Sequence, residues 1–125
     1  LHEGCSATNE TIVTLRNLTT TLAGQARQIY ECHGKGHPDE MAAFLVGAGE
    51  YHYYGFGGWD QHGGNFSSRW VEGVFDQPLG EPKADAAYDA ASSTWTREFA
   101  SGTRVRFNAA TNKGSIVWAP SREYI

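Results

Sequence analysis

The chain is poor in the features that would assign it a function outright. It has ten Lys and Arg against fourteen Asp and Glu, a formal net charge of −4, and no run of basic residues. A nucleic-acid surface needs a basic face and an anionic membrane attracts a basic patch, so the composition argues against both partners. The longest apolar run, Met41-Ala-Ala-Phe-Leu-Val46, falls far short of the roughly 20 residues of a spanning helix. No Gly-x-Ser-x-Gly elbow, phosphate-binding loop, dinucleotide fingerprint or internal repeat occurs. Histidines are few: His33 follows Cys32, with His37 and His62 beyond. Those spacings fit no familiar metal site, so neither metal nor cofactor is expected. The chain opens at Leu1 without methionine or an apolar leader. A signal peptide is therefore expected to have been removed or to lie outside this sequence.

Length and sequons say more. At 125 residues the chain has room for one domain with one modest core. Three of its five asparagines stand in Asn-x-Ser/Thr sequons: Asn9-Glu-Thr11, Asn17-Leu-Thr19 and Asn65-Phe-Ser67. Wound as a helix, residues 8–23 put Ile12, Leu15, Leu18 and Leu22 on one stripe, continued by Ala26. Asn17 then lies nearly opposite, facing solvent, where a glycan has room. Three sequons together with only two cysteines point to an extracellular, secreted glycoprotein with one disulfide.

The cysteine spacing bears on topology. A helix running unbroken from residue 8 to Cys32 would be roughly 36 Å long at 1.5 Å per residue. Cys5 could then never approach Cys32 to the ~5.5–6 Å between Cα atoms that a disulfide needs. Gly24 is a natural helix stop, and residues 25–32 read as a strand returning beside the first. The unit is strand–helix–strand with a parallel crossover, so both strands end on the same edge. A second helix starts at Pro38 with Asp39 and Glu40 in its first turn and ends at Gly47 or Gly49. Its body is apolar nearly all round. Aromatic residues 51–56 make a third strand.

Residues 1–60 thus form a β-α-β-α-β portion, and residues 61–92 a Gly/aromatic and Pro-rich connection. Residues 93–119 form an antiparallel meander with strands at 94–99, 103–107 and 115–118, and 120–125 is a tail. Three parallel strands leave two open edges and an uncovered face. The α/β portion therefore reads as the closing part of a larger sheet or barrel, the remainder coming from another segment or a partner.

Several segments carry a resemblance. Met41-Ala-Ala-Phe-Leu-Val-Gly-Ala-Gly-Glu-Tyr51 and Tyr53-Tyr-Gly-Phe-Gly-Gly-Trp59 resemble the last helix and strand of a glycoside-hydrolase family related to (β/α)8-barrel glycosidases. Val74-Phe-Asp-Gln-Pro-Leu-Gly-Glu-Pro82 continues the likeness. So do Thr96-Arg-Glu-Phe-Ala-Ser-Gly-Thr-Arg-Val-Arg-Phe-Asn108 and Gly114-Ser-Ile-Val-Trp118. The similarity spans residues 25–119 and implies the last strands and helices of a (β/α)8-type barrel followed by a small antiparallel meander. Such a piece is incomplete as a stand-alone barrel, and independent catalysis by it is not expected.

Glycosidases use two carboxylates at the C-terminal ends of barrel strands. Glu3 and Glu31 stand at such ends and are the catalytic candidates. Eight aromatic residues and six glycines fall within residues 51–75. Flat rings on permissive backbone suit the apolar faces of sugars, which makes Tyr53, Tyr54 and Trp59 candidates for carbohydrate binding, with Asp60 and His33 beside them. Two functions follow: a secreted protein acting on or binding polysaccharide, or a non-catalytic extracellular glycoprotein that binds glycans or self-associates.

Overall fold

The computed structural model describes residues 2–3, 5–21, 30–34, 37–49, 52–56, 77 and 79–120. Strand β1 (His2–Glu3) is followed by helix α1 (Asn9–Thr21), β2 (Tyr30–Gly34), α2 (Pro38–Gly47) and β3 (His52–Phe56). Then come β4 (Ala87–Asp89), β5 (Thr94–Glu98), β6 (Arg104–Asn108) and β7 (Lys113–Val117). The strands form two sheets: a parallel one in the order β1-β2-β3, and an antiparallel one in the order β4-β5-β6-β7.

Local chemistry accounts for these elements. Pro38 fixes φ in the first turn of α2, and Asp39 and Glu40 sit at the positive end of its dipole. At the start of α1 the Thr8 hydroxyl accepts a hydrogen bond from the Thr11 amide at 3.3 Å. In β6 strict alternation drives Val105 and Phe107 inward and leaves Arg104 and Arg106 exposed. Gly102 and Asn112, both with positive φ, lie in the two connections that follow β5 and β6. Strand β4 falls within the stretch read from sequence as irregular. Ala87-Tyr-Asp89 has little strand character of its own and is held by pairing with Thr94, Trp95 and Thr96.

Helix α2 is the centre of the molecule. Ala42, Ala43 and Val46 pack into one core with Ile12 of α1 and Trp95, Phe99, Val105 and Phe107 of the antiparallel sheet. Phe44 points the other way, into a smaller core with Leu15 and Cys32, against which Tyr54 packs. A helix apolar nearly all round is thereby used on both sides.

This arrangement corrects the expected fold class. The chain is a small α+β protein, not the end of a (β/α)8 barrel. Barrel helices cover the parallel strands that flank them. Here most of the buried surface of α2 lies against an antiparallel sheet, because Trp95, Phe99, Val105 and Phe107 offer it the larger apolar face.

Close approach of α2 to that sheet depends on Gly114. A Cβ at this position would stand 2.5 Å from the Cβ of Ala42 and 3.1 Å from the Phe107 ring. Ala42 is fully buried on a helix and has no flexible tip to move. Gly114→Ala is therefore expected to lower stability by about 2 kcal/mol, outweighing the gain of up to about 1 kcal/mol from a stiffer unfolded chain. Urea unfolding measures this. A neutral or stabilised variant would show that the helix and sheet can separate freely.

Candidate functional site

The parallel sheet brings the carboxylate candidates together. Glu3 pairs in register with Glu31, and Glu31 with Tyr53, so the three occupy one row across β1, β2 and β3. Neighbouring strands lie about 4.8 Å apart, which sets the backbone spacing of the row. The sequence posed a difficulty here, since Glu3 precedes Cys5 by two residues and Glu31 precedes Cys32 by one. The structure resolves it: β1 ends at Glu3, so Cys5 is outside the strand and alternation does not govern it. Strand β2 continues to Gly34, which puts Cys32 at its centre and not at its end.

The Cys5–Cys32 disulfide forms, with Cα atoms 4.9 Å apart. It ties the segment entering α1 to the middle of β2 and stands beside the Glu3–Glu31 pair. No cysteine is left free.

The aromatic candidates separate. Tyr53 is 55% exposed. Tyr54, in the next row with Cys32, turns toward α2: its ring packs 5.5 Å from that of Phe44. Its hydroxyl donates to Glu40 Oε1 at 2.6 Å. Tyr54 is thus engaged in packing, and Tyr53 presents the ring. His33 pairs with Gly55 along the β2–β3 ladder. Trp59, Asp60 and the sequon residue Asn65 lie outside the described residues. Sequence reading overlooked His52, whose Nδ1 accepts the Gly49 amide at 2.8 Å and shapes the turn from α2 into β3.

The other sequon residues differ from each other. Asn17 is exposed on α1, opposite the buried Ile12 and Leu15. Asn9 has a structural bond as well: its Oδ1 accepts the indole N–H of Trp95 at 2.8 Å. Removing Asn9 would break that bond, so enzymatic deglycosylation, not Asn9→Gln, isolates the effect of a glycan there.

A second surface emerges on the antiparallel sheet. An open groove of about 520 Å3 runs over the face turned away from α2, its floor formed by Thr96, Arg104, Arg106 and Ser115 and one wall by Lys83 and Asp85. Lys83 Nζ donates to Glu98 Oε1 at 3.0 Å. Arg16 Nη2 donates to Asp85 Oδ2 at 2.6 Å, and this contact holds the Asp85 carboxyl below its ordinary range although burial pushes the other way. The signal for the two arginines was present in Arg104-Val-Arg-Phe107, where alternation puts both on one face.

Among the described residues, no group of three or more His, Cys, Asp or Glu is placed to hold a metal ion. No helix among them is long and apolar enough to cross a membrane. No protein-family model matches the chain, and no curated protein does so.

Proposed function

We propose that this chain is a secreted, disulfide-bonded glycoprotein that binds polysaccharide at the Glu3–Glu31–Tyr53 row. The carrying observation is that row: two registered glutamates beside an exposed tyrosine ring. An exposed ring next to carboxylates offers a sugar one apolar face and hydrogen-bond acceptors at its rim. The resemblance of residues 25–119 to a glycoside-hydrolase family supports sugar as the ligand class. The disulfide supports an oxidising compartment, and the sequons at Asn9, Asn17 and Asn65 support passage through a secretory one.

Hydrolysis is the second reading, favoured by the pairing of Glu3 with Glu31. Retaining glycosidases hold their two carboxyl groups only about 5–5.5 Å apart, and registered residues on neighbouring strands are spaced on that scale.

One set of measurements tests both. Calorimetric titration with neutral oligosaccharides should show binding that Tyr53→Ala weakens about tenfold, the effect of removing a stacking ring. Glu31→Gln should leave binding within a few-fold of the parent, since the amide keeps the shape, and should abolish any turnover. Turnover unaffected by Glu31→Gln rules out the catalytic assignment. Binding unaffected by Tyr53→Ala removes the row as the sugar site. A native mass equal to the sequence mass removes the glycoprotein reading.

A further inference from the structure

Charge is unevenly placed on this acidic chain. The groove over the antiparallel sheet is lined by Lys83, Arg97, Arg104 and Arg106, with only Asp85 and Glu98 to oppose them, whereas the whole chain carries −4. Most of these charges are already answered. Asp85 is held by Arg16 and Lys83 by Glu98. Arg97 donates to the carbonyls that end α2. Arg104 and Arg106 are the remainder. Both are exposed, and neither has an ion-pair partner among the described residues. Glu98 does stand opposite Arg104 in register, but its carboxylate is taken by Lys83 at 3.0 Å.

The floor has a defined layout. Ala87, Thr96, Arg106 and Ser115 form one row across the four strands, and Glu98, Arg104 and Val117 form another. The two arginines are two residues apart on β6, about 6.7 Å along the strand. Arg106 is flanked in its row by hydroxyl side chains from both neighbouring strands. No aromatic ring lines the groove among the described residues, so it is unsuited to the stacking proposed at Tyr53. What it offers instead are two guanidinium forks, which match the two oxygens of a carboxylate or sulfate. Its volume of about 520 Å3 lies within the ~300–1,000 Å3 of ligand sites and exceeds what a single ion needs.

We infer that this groove binds the carboxylate or sulfate groups of an acidic polysaccharide through Arg104 and Arg106, with Thr96 and Ser115 hydrogen-bonding alongside. The inference rests on the polysaccharide reading above and adds the ligand's charge and a second surface that receives it. The site is electrostatic and exposed, so affinity falls as salt rises.

The test uses the full chain and matched pairs of probes: oligogalacturonate against its uncharged methyl ester, and dextran sulfate against dextran. At least one acidic member should bind roughly tenfold or more tightly than its neutral counterpart, a margin that R104Q/R106Q removes, as expected for paired charge-assisted contacts. The unfolding midpoint of R104Q/R106Q should match the parent, because both side chains are exposed and unpaired. Acidic sugar bound equally well by R104Q/R106Q overturns the groove site and leaves the polysaccharide reading standing, as does equal affinity for charged and neutral members. Failure of all four probes defeats the polysaccharide reading itself. Poly-glutamate bound with the same arginine dependence, while both acidic sugars fail, overturns the inference in favour of an acidic protein partner.

Discussion

Breaking the Cys5–Cys32 bridge is expected to cost about 3–4 kcal/mol. The bridge spans 27 residues of sequence, and on the chain-entropy model closing a loop of that length restricts the unfolded chain by about this amount. Set against a total stability of roughly 5–15 kcal/mol for a domain, the bridge supplies a large share. The two halves of the bridge are not equivalent. Cys32 is 1% exposed and packs with Leu15 and Phe44, whereas Cys5 is half-buried at the margin of that cluster. Cys5→Ala should therefore show the loss of the link alone, and Cys32→Ala somewhat more, since it also leaves a small cavity. The bridge joins β2 to the segment before α1, and the antiparallel sheet contains neither cysteine. Loss of the link should accordingly raise amide exchange in β2 and β3 before β5 and β6. Urea unfolding with and without reductant measures the first effect, and exchange by mass spectrometry the second. A midpoint indifferent to both reductant and Cys5→Ala would contradict the assignment, as would two free thiols on non-reducing peptide mapping.

Parts of this architecture were legible in the sequence and parts were not, for physical reasons. The parallel pairing of β1 with β2 followed from two cysteines flanking a helix too long to bridge, a constraint local enough to read from spacing. The inward stripe of α1 and the exposure of Asn17 followed from periodicity, and both Ile12 and Leu15 are fully buried. The partner of α2 did not follow. A helix apolar on every side announces burial without saying which sheet it will meet, and the barrel expectation came from resemblance and not from Met41, Ala42, Ala43 or Phe44. Strand β4 was hidden because Ala87-Tyr-Asp89 is a strand only through its neighbour. Long-range polar bonds were hidden as well: nothing in the sequence joins Asn9 to Trp95, 86 residues away. At the candidate site, the sequence singled out Glu3, Glu31 and Tyr53 separately, but register alone made them a row. Arg104 and Arg106 were visibly on one face. Their lack of partners became apparent only once Glu98 was seen to pair with Lys83.

Arg97→Met should destabilise the protein by about 3 kcal/mol, through the end of α2 and not through a lost surface charge. The Arg97 Nη1 group donates to the carbonyls of Leu45, Val46 and Ala48 at 3.0, 3.2 and 2.8 Å. These belong to the last turn and cap of α2, where carbonyls have no intrahelical partner and the dipole favours a cation. The Ala48 amide closes on the Phe44 carbonyl at 2.8 Å, so the final turn is otherwise complete. Burial pushes the guanidinium down from its usual range, and Asp85 opposes that shift; an arginine nevertheless stays charged at any ordinary pH. Each hydrogen bond from a charged donor contributes roughly 1.5–3 kcal/mol, and carbonyls stripped of their donor in a partly buried site carry a desolvation cost besides. The bonds share one nitrogen, which is why the total is set near the value for one or two. Methionine keeps the aliphatic stem that lies by the Phe99 ring, whose centroid is 5.5 Å from the guanidinium carbon. The variant therefore isolates the capping bonds from the packing. Arg97→Lys should recover part of the loss, because an ammonium keeps the charge but not the planar fork. Equilibrium unfolding of the two variants gives the comparison. If Arg97→Met is as stable as the parent, the carbonyls find water, and the strand-to-helix clamp contributes nothing to holding α2 on the antiparallel sheet.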